Sequence, residues 1–331
     1  MLQLVVALVL SAHLVLVDIA MAAPLASVWF EWRPPRGCEL LADRLALTLA
    51  RLSIWALVAG MLLGGLLLAL RWTSDDRAYF DALAAVPASR LWFAGAELIF
   101  SWACLAAYAA RWHRWARWRV VHRLLAVAAA SNLLLHFPAL FTIVSILGKR
   151  PELWGEVLDR AAYQHMLLDG EVLARVTHIW LAAFVTTGVV VMVLAGRLAG
   201  GADSCRLVER GAWLALVPAL LELPAGWWLA SQIPEAQRLP LLGDDLLATG
   251  LFAASILLAL WLMHLLAGIA LGDHEPRQVG RCVATLLAIM LLMVSTRFRW
   301  HEVPANRAAM ASPAAVRAAA DILHPLEVAF Q

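Results

Sequence analysis

Long apolar runs alternate with short polar segments along most of the chain, and this pattern predicts transmembrane helices. A run of about 20 apolar residues is long enough to cross the hydrocarbon core of a bilayer. In lipid the run must be helical, because its backbone groups need hydrogen-bond partners within the segment. The predicted fold is therefore all-α, a polytopic transmembrane helix bundle. Its eight predicted spans are about 3–29, 45–70, 88–110, 120–147, 173–197, 208–231, 246–271 and 279–297.

The composition agrees with this class. Hydrophobic residues make up 63% of the 331 positions and charged residues only 15%, which is less charge than a soluble domain of this size carries. No CxxCH motif occurs, so covalent attachment of a c-type haem is not expected. Many tryptophans lie near the ends of the apolar runs, where their amphipathic rings favour the headgroup level. They are Trp29, Trp32, Trp72, Trp92, Trp112, Trp115, Trp118 and Trp300.

We expect one membrane domain, residues 1–297, followed by a short extramembrane tail, residues 298–331. The tail ends in LEVAFQ, which resembles the remnant of a protease site. The longest predicted connection is about 149–172. Residues 1–28 are interpreted as a retained span rather than a cleaved signal peptide, because they lack a basic start and contain ionisable residues.

The basic residues predict the orientation of the helices. Loops after spans one, three, five and seven hold nearly twice as many Arg and Lys as the loops on the opposite side, and no basic residue precedes Arg33. Short loops rich in Arg and Lys remain in the cytoplasm, so the N-terminus is predicted to lie outside. The same rule explains the RWHRWARWR loop better than nucleic-acid or lipid binding does. We expect its His113 and the following His122 to face the headgroups.

Several ionisable residues fall inside predicted spans, where each costs at least about 2.5 kcal/mol. They are His13, Asp18, Glu97, His136, His178, Glu222 and His264. Counted along helices with a rise of about 1.5 Å per residue, five of them lie in the outer half of the membrane on five different spans. Those five are His13, Glu97, His136, His178 and Glu222, whereas Asp18 lies near the midplane and His264 in the inner half.

Histidines at one depth on different helices favour a haem site. Neutral imidazole is a strong iron ligand, and a bundle core of Leu, Val, Ala and Phe suits a porphyrin. The candidate iron ligands are His13, His136 and His178, with His264 as a further cofactor-binding residue. Glu97 and Glu222 are the candidate catalytic carboxyl groups, as proton carriers or as partners of a histidine.

Two other interpretations use the same residues. Each group could simply form a hydrogen bond with a neighbouring helix, or the set could be the proton relay of a transporter. No inverted repeat and no matching pair of broken helices favours a transporter. Pro138 and Pro224 are interpreted as local kinks. Gly60 and Gly64 form a small-xxx-small pair, which is typical of close helix packing.

Four segments resemble the large, haem-bearing subunit of the cytochrome bd quinol oxidases. They are SAHLVLVDIAMAAPLASVWFEWR, AELIFSWACLAAY, SNLLLHFPALF and RVTHIWLAAFVTTGVVVMVLAGR, and with them the resemblance covers about two thirds of the chain. It implies that His13 is a haem ligand near the outer side. It also implies that Glu97 is the acidic residue near the high-spin haem and that His178 is a ligand of the low-spin haem b.

The sequence also departs from that family. Leu105 stands where a second acidic residue is expected, and the long quinol-binding loop and the GRQPW signature are missing. The segment DDLLATGLFAAS lacks the methionine that completes the low-spin haem, and a ninth span is not evident. We therefore hypothesise that His136 replaces this methionine, which gives a bis-histidine haem suited to electron transfer.

The sequence thus predicts a membrane-embedded b-type cytochrome with one or more haem b groups, acting in a respiratory complex of the bacterial inner membrane. The expected partners are other membrane or periplasmic redox subunits, the lipid bilayer and quinone, with no nucleic acid. One alternative is a genuine quinol:oxygen oxidoreductase subunit. The other is a haem-free transporter or scaffold subunit.

Overall fold

The computed structural model describes residues 2–73, 77–149, 157–198, 202–273 and 275–310, and these contain helices but no strand. Eight of the helices are long and apolar enough to cross a membrane, which confirms the predicted fold class. These eight are α1 (Leu2–Trp32), α2 (Glu39–Thr73), α4 (Ala88–Ala110), α5 (Arg119–Leu147), α7 (Gly170–Leu198), α8 (Ala202–Gln232), α10 (Leu246–Ala270) and α11 (Pro276–Met310). Three short helices connect them: α3 (Arg77–Ala85), α6 (Arg160–Leu167) and α9 (Glu235–Arg238).

Most observed helices extend beyond the predicted spans. Helix α2 begins at Glu39 rather than near residue 45, and α11 continues to Met310 through the start of the predicted tail. The helices extend beyond the apolar runs because their ends can continue into polar surroundings, where water forms hydrogen bonds with the backbone. The LEVAFQ segment lies outside the described residues. In the long connection, the Asp159 side chain caps α6 by accepting a hydrogen bond from the backbone of Ala162.

The spans form two four-helix bundles. Helices α1, α2, α4 and α5 pack around one another in the first, and α7, α8, α10 and α11 do so in the second. Contacts of α7 with α1 and α5, and of α11 with α1, join the two bundles. Helix α1 is thus central to the molecule, and its inner half buries small side chains such as Ala22, Ala23 and Ala26. Below, "outer" denotes the membrane side on which α1 begins.

Glycines allow the closest approaches between helices. A Cβ atom on Gly188 of α7 would lie 2.6 Å from the backbone nitrogen of Ala215 on α8, and one on Gly211 would lie 2.8 Å from Val191. The Gly60 and Gly64 pair on α2 also faces a neighbour, because added Cβ atoms would lie 3.3 Å from Val17 and 3.2 Å from His13 on α1. The predicted role of this pair in helix packing is confirmed.

Candidate functional site

In the outer half of the molecule, two histidines each contact a carboxylate on the next helix of the bundle. His178 on α7 contacts Oε2 of Glu222 on α8 through Nδ1. His136 on α5 contacts Oε1 of Glu97 on α4 through the same ring atom. The structure thus brings together four of the five residues that the sequence placed at one depth, as two separate pairs.

The pair of His178 and Glu222 has a third ionisable neighbour. Asp18 of α1 interacts electrostatically with both residues and is only 4% exposed. Its Oδ2 atom accepts a hydrogen bond of 2.9 Å from the hydroxyl of Thr186 on α7. Carboxylates on α1 and α8 therefore lie near the same imidazole ring, at the junction of the two bundles.

The pair of His136 and Glu97 lies closer to the surface of the chain. The His136 side chain is 48% exposed, whereas the Glu97 side chain is 8% exposed. The side-chain oxygen of Asn132 lies 3.0 Å from Nδ1 of His136. The side-chain nitrogen of Asn132 donates hydrogen bonds to the backbone carbonyl of Glu97 and to the hydroxyl of Ser101. The Phe93 ring meets His136 edge-on. Hydrogen bonds therefore connect α4 and α5 around this pair, and its His136 side is exposed.

His13 lies apart from both pairs. Its Nδ1 atom is 2.8 Å from the carbonyl oxygen of Gly60 on α2, and its ring lies against Gly64. A carbonyl oxygen can only accept, so Nδ1 carries the proton and Nε2 carries the lone pair. The absence of a side chain at Gly64 leaves room for this ring.

His13, His136 and His178 share one arrangement of their ring nitrogens. In each, Nδ1 contacts a carbonyl or carboxylate oxygen, and Nε2 makes no hydrogen bond within the part of the chain that the structure describes. Metal-ligating histidines almost always donate their second ring nitrogen to such an oxygen, which fixes the tautomer and raises the basicity of the ligand. The donor chemistry of these residues therefore fits axial ligation of haem iron, which needs only one or two protein ligands.

The other two histidines of the spans have different surroundings. His264 is exposed on α10, where it stacks on Trp261 with ring centroids 5.4 Å apart, and the structure does not bring it near the five outer residues. The expectation that His122 faces the headgroups is wrong, because its side chain is only 3% exposed. Nε2 of His122 lies 2.8 Å from the Tyr108 carbonyl, and Nδ1 lies 3.7 Å from Glu31.

His122 belongs to a buried polar network at the inner ends of α1, α4 and α5. Oε1 of Glu31 lies 3.2 Å from Nε of Arg123, and Oε2 accepts a hydrogen bond of 3.3 Å from the Tyr108 hydroxyl. The same hydroxyl lies 3.1 Å from the hydroxyl of Ser27. Sequence reasoning missed this network because groups at the ends of spans are usually solvated. Both ring nitrogens of His122 face protein atoms, so this histidine is structural.

Two clefts of modest size lie along the helices near these residues. One of about 200 Å³ is lined by Ser131, Leu134, Leu135, Trp180 and Phe184, between α5 and α7. The other, of about 160 Å³, is apolar and is formed by α1, α7 and α11 beside Thr186. Both are smaller than the roughly 300 Å³ of a typical enclosed ligand pocket. No three His, Cys, Asp or Glu side chains of the described segments converge as they would on a non-haem metal ion.

Comparisons with known proteins give a likeness of fold. No protein-family model and no curated protein sequence matches the chain. A solved structure of bd oxidase from Geobacillus thermodenitrificans is similar to it, with a TM-score of 0.68 and 15% sequence identity. The match covers 91% of this chain and 86% of that one. The chain is accordingly a multi-pass membrane protein with a bd-oxidase-like fold.

Proposed function

We propose that the chain is a b-type cytochrome subunit that transfers electrons within a respiratory membrane complex, with His178 as the residue that would hold haem b. The observation that carries this proposal is the arrangement around His178. Nδ1 is engaged by Glu222, Nε2 has no protein partner among the described residues, and the ring lies at the junction of two bundles. When bound, haem supplies one-electron exchange at its iron.

The residues around His178 position and tune this ligand. Glu222 accepts a hydrogen bond from Nδ1 of His178, fixes the orientation of the ring and raises the basicity of Nε2. Asp18 places a second carboxyl group within electrostatic range of the ring. Negative charge on these carboxyl groups would favour the more positive, oxidised state of a bound haem and would therefore lower its midpoint potential. Each carboxyl group can also hold a proton beside the ring.

His13 and His136 are proposed as further haem ligands. The His136 ring contacts Glu97 of α4, whereas the His178 ring contacts Glu222 of α8. Each histidine thus has its own carboxylate partner. His136→Ala tests the bis-histidine arrangement, because loss of a second axial ligand converts a low-spin spectrum to a high-spin one. His264 stays a prediction, and its exposed position gives it no support.

The second candidate is a quinol:oxygen oxidoreductase subunit in which His13 holds an oxygen-reactive haem. It is favoured by Nε2 of His13, which has no hydrogen-bond partner among the described residues, and by the bd-oxidase-like fold. Oxygen consumption with a quinol donor distinguishes the two candidates. An oxidase consumes oxygen and loses this activity in His13→Ala, whereas an electron-transfer subunit alone consumes none.

The exposed side of His136 favours a neighbouring subunit. A polar pair near the middle of a span is costly against lipid, so another protein or a cofactor is proposed to cover it. Redox subunits of the membrane or periplasm and quinone are the proposed partners, and the bacterial inner membrane is the proposed location. Copurification of the tagged chain from its native membrane tests this.

The absorption spectrum of the purified protein is the decisive measurement. We expect a reduced α band of the b type, lost or strongly diminished in His178→Ala because the iron loses its ligand. His113→Ala is the matched control, since it removes an exposed histidine of the loop between α4 and α5 that is not a candidate ligand, and it should leave the band intact. A colourless wild-type protein contradicts both haem candidates and leaves a transporter or scaffold.

A further inference from the structure

Four arginines from the two bundles meet at the inner ends of the helices, and we call them the inner arginine cluster. Arg33 and Arg36 lie between α1 and α2 in the first bundle. Arg206 and Arg210 lie on α8 in the second bundle. The guanidinium group of Arg206 donates a hydrogen bond of 2.7 Å to the backbone carbonyl of Arg36. The guanidinium group of Arg210 donates in the same way to the carbonyl of Arg33.

These hydrogen bonds bring like charges together where the bundles meet. They use the main-chain oxygens of Arg33 and Arg36, so the guanidinium groups of these two residues take no part in them. The side chains of Arg33, Arg36 and Arg206 are exposed, and each guanidinium group carries five N–H donors. The acidic residues of the two segments, 33–39 and 206–210, are Glu39 and Glu209. The four cations therefore outnumber the carboxylates around them.

The convergence of these arginines needs an explanation beyond the charge rule for loops. That rule concerns how many basic residues a loop carries, and each segment would satisfy it with its arginines far from those of the other. Arg36 and Arg206 are instead 170 residues apart in the sequence and are joined by a hydrogen bond. Because like charges at close range repel one another, the arrangement favours a bound anion.

Exposed apolar side chains border the cluster. Trp32, the last residue of α1, is 62% exposed, and Leu40 at the start of α2 is 84% exposed. The guanidinium carbon of Arg33 lies 5.2 Å from the centre of the Trp32 ring, and that of Arg210 lies 5.5 Å from the centre of the Trp29 ring. Tryptophan favours the headgroup level of a bilayer. A ligand with both a phosphate and a hydrocarbon chain therefore suits this place better than a free anion does.

We propose that the inner arginine cluster binds an anionic phospholipid of the inner leaflet, with its phosphate between the arginines and an acyl chain along Trp32 and Leu40. Guanidinium groups match the geometry of a phosphate and form charge-assisted hydrogen bonds with it. A phosphate held by arginines of both segments offsets their mutual repulsion and links the two bundles at their inner ends. This site goes beyond the function proposed above and does not depend on haem.

Titration of the delipidated, full-length protein with dioleoylphosphatidylglycerol tests the proposal. The lipid should raise the midpoint of thermal unfolding as its concentration rises, because it binds the folded state. Arg33→Gln and Arg36→Gln are each expected to weaken this binding about tenfold, which corresponds to the loss of one charge-assisted hydrogen bond. Both substitutions keep the backbone carbonyls to which α8 donates, so the junction between the bundles stays in place.

Arg114→Gln is the matched control, since it removes an exposed arginine of the loop between α4 and α5 on the same side of the membrane. It should bind phosphatidylglycerol as the wild-type protein does. An equal loss of affinity in all three variants would mean a general attraction to the basic surface, and it would overturn the proposal. A wild-type protein that phosphatidylglycerol stabilises no more than zwitterionic phosphatidylcholine does would also overturn it.

Inorganic phosphate distinguishes a phospholipid from a free anion. It should leave the midpoint of thermal unfolding nearly unchanged, and a shift as large as that given by phosphatidylglycerol would contradict a lipid site. Native mass spectrometry should find phosphatidylglycerol retained by the wild-type protein and lost from a variant with both Arg33→Gln and Arg36→Gln. Equal retention by the two proteins would contradict the proposal. A colourless wild-type protein, in contrast, removes the proposed function and has no bearing on this site.

Discussion

At the scale of single residues, Glu222 would determine how His178 acts as the proposed haem ligand. Its carboxylate contacts Nδ1 of the ring, so it controls both the orientation of the imidazole and the electron density at Nε2. The same relation holds between Glu97 and His136. The two pairs therefore offer matched positions at which the contribution of a carboxylate to a haem can be compared.

Glu222→Gln is expected to raise the midpoint potential of the haem on His178. The substitution removes a negative charge beside the ligand, which makes the oxidised iron less favourable, while the amide keeps the size of the side chain. Redox titration monitored in the α band measures the change. Glu97→Gln should also raise this potential if His136 is the second ligand of the same haem. A Glu222→Gln protein with an unaltered potential would contradict the assignment of His178.

Tyr108→Phe is expected to destabilise the protein without changing its spectrum. The hydroxyl is fully buried between Ser27 and Glu31, and its removal leaves their buried oxygens with one partner fewer. We expect the free energy of unfolding to fall by about 1–3 kcal/mol, which should lower the midpoint of thermal unfolding in detergent.

A double-mutant cycle with Ser27→Ala provides the control for this network. Because the two hydroxyls are in contact, the effects of the two substitutions should not add. Additive losses would mean that the two side chains do not interact. A changed haem spectrum in Tyr108→Phe would show that the network also serves the cofactor, contrary to its assignment as structural.

At the scale of helices, the approach of α7 to α8 fixes the distance between His178 and Glu222. Gly188 and Gly211 allow this approach, because a Cβ atom at either position would overlap the opposite helix. In a membrane, such small residues favour helix association through close packing. The geometry of the candidate site therefore depends on glycines that lie more than two turns away from it.

Gly188→Ala is expected to lower the free energy of unfolding by about 1–3 kcal/mol. The new methyl group would lie 2.6 Å from the backbone nitrogen of Ala215 and would force α7 and α8 apart. The midpoint of thermal unfolding should fall. Gly196→Ala on the same helix is the matched control, because its Cβ atom meets nothing within 4 Å and alanine favours a helix more than glycine does. Equal losses in both variants would contradict the packing argument.

At the scale of the whole molecule, the orientation in the membrane decides which redox partners can reach the candidate site. The basic loop between α4 and α5 is predicted to face the cytoplasm, and the connection between α3 and α4 the other side. Both pairs of histidine and carboxylate then lie toward the outer surface. A soluble electron donor in the periplasm could approach this end of the bundle, whereas a cytoplasmic one could not.

Cysteine labelling in intact spheroplasts checks this orientation. In a background with Cys205→Ser, a cysteine at exposed Ser89 should react with a membrane-impermeant maleimide, and a cysteine at exposed Arg114 should react only after the membrane is opened. Cys38, Cys104 and Cys282 are buried and can remain. The reverse pattern would invert the topology and place the candidate site near the cytoplasm.

The sequence by itself determined the number of spans, because the length of an apolar run is a local property that the bilayer thickness makes decisive. It also determined the depth of the ionisable residues, since depth follows from position along a helix with a fixed rise. The predicted helix ends were less accurate, because a helix can extend into polar surroundings beyond the apolar run. Helix α11, for example, continues to Met310.

Only the tertiary structure decided which side chains meet. Contacts between helices depend on how each helix is rotated about its own axis and on which neighbours it packs against. Neither follows from the depth of a residue in the membrane. This is why Glu222 was found beside His178, why His122 proved to be buried, and why arginines from two distant segments form one cluster. Position along the chain placed the candidate haem ligands at one level, and helix packing gave each of them its partner.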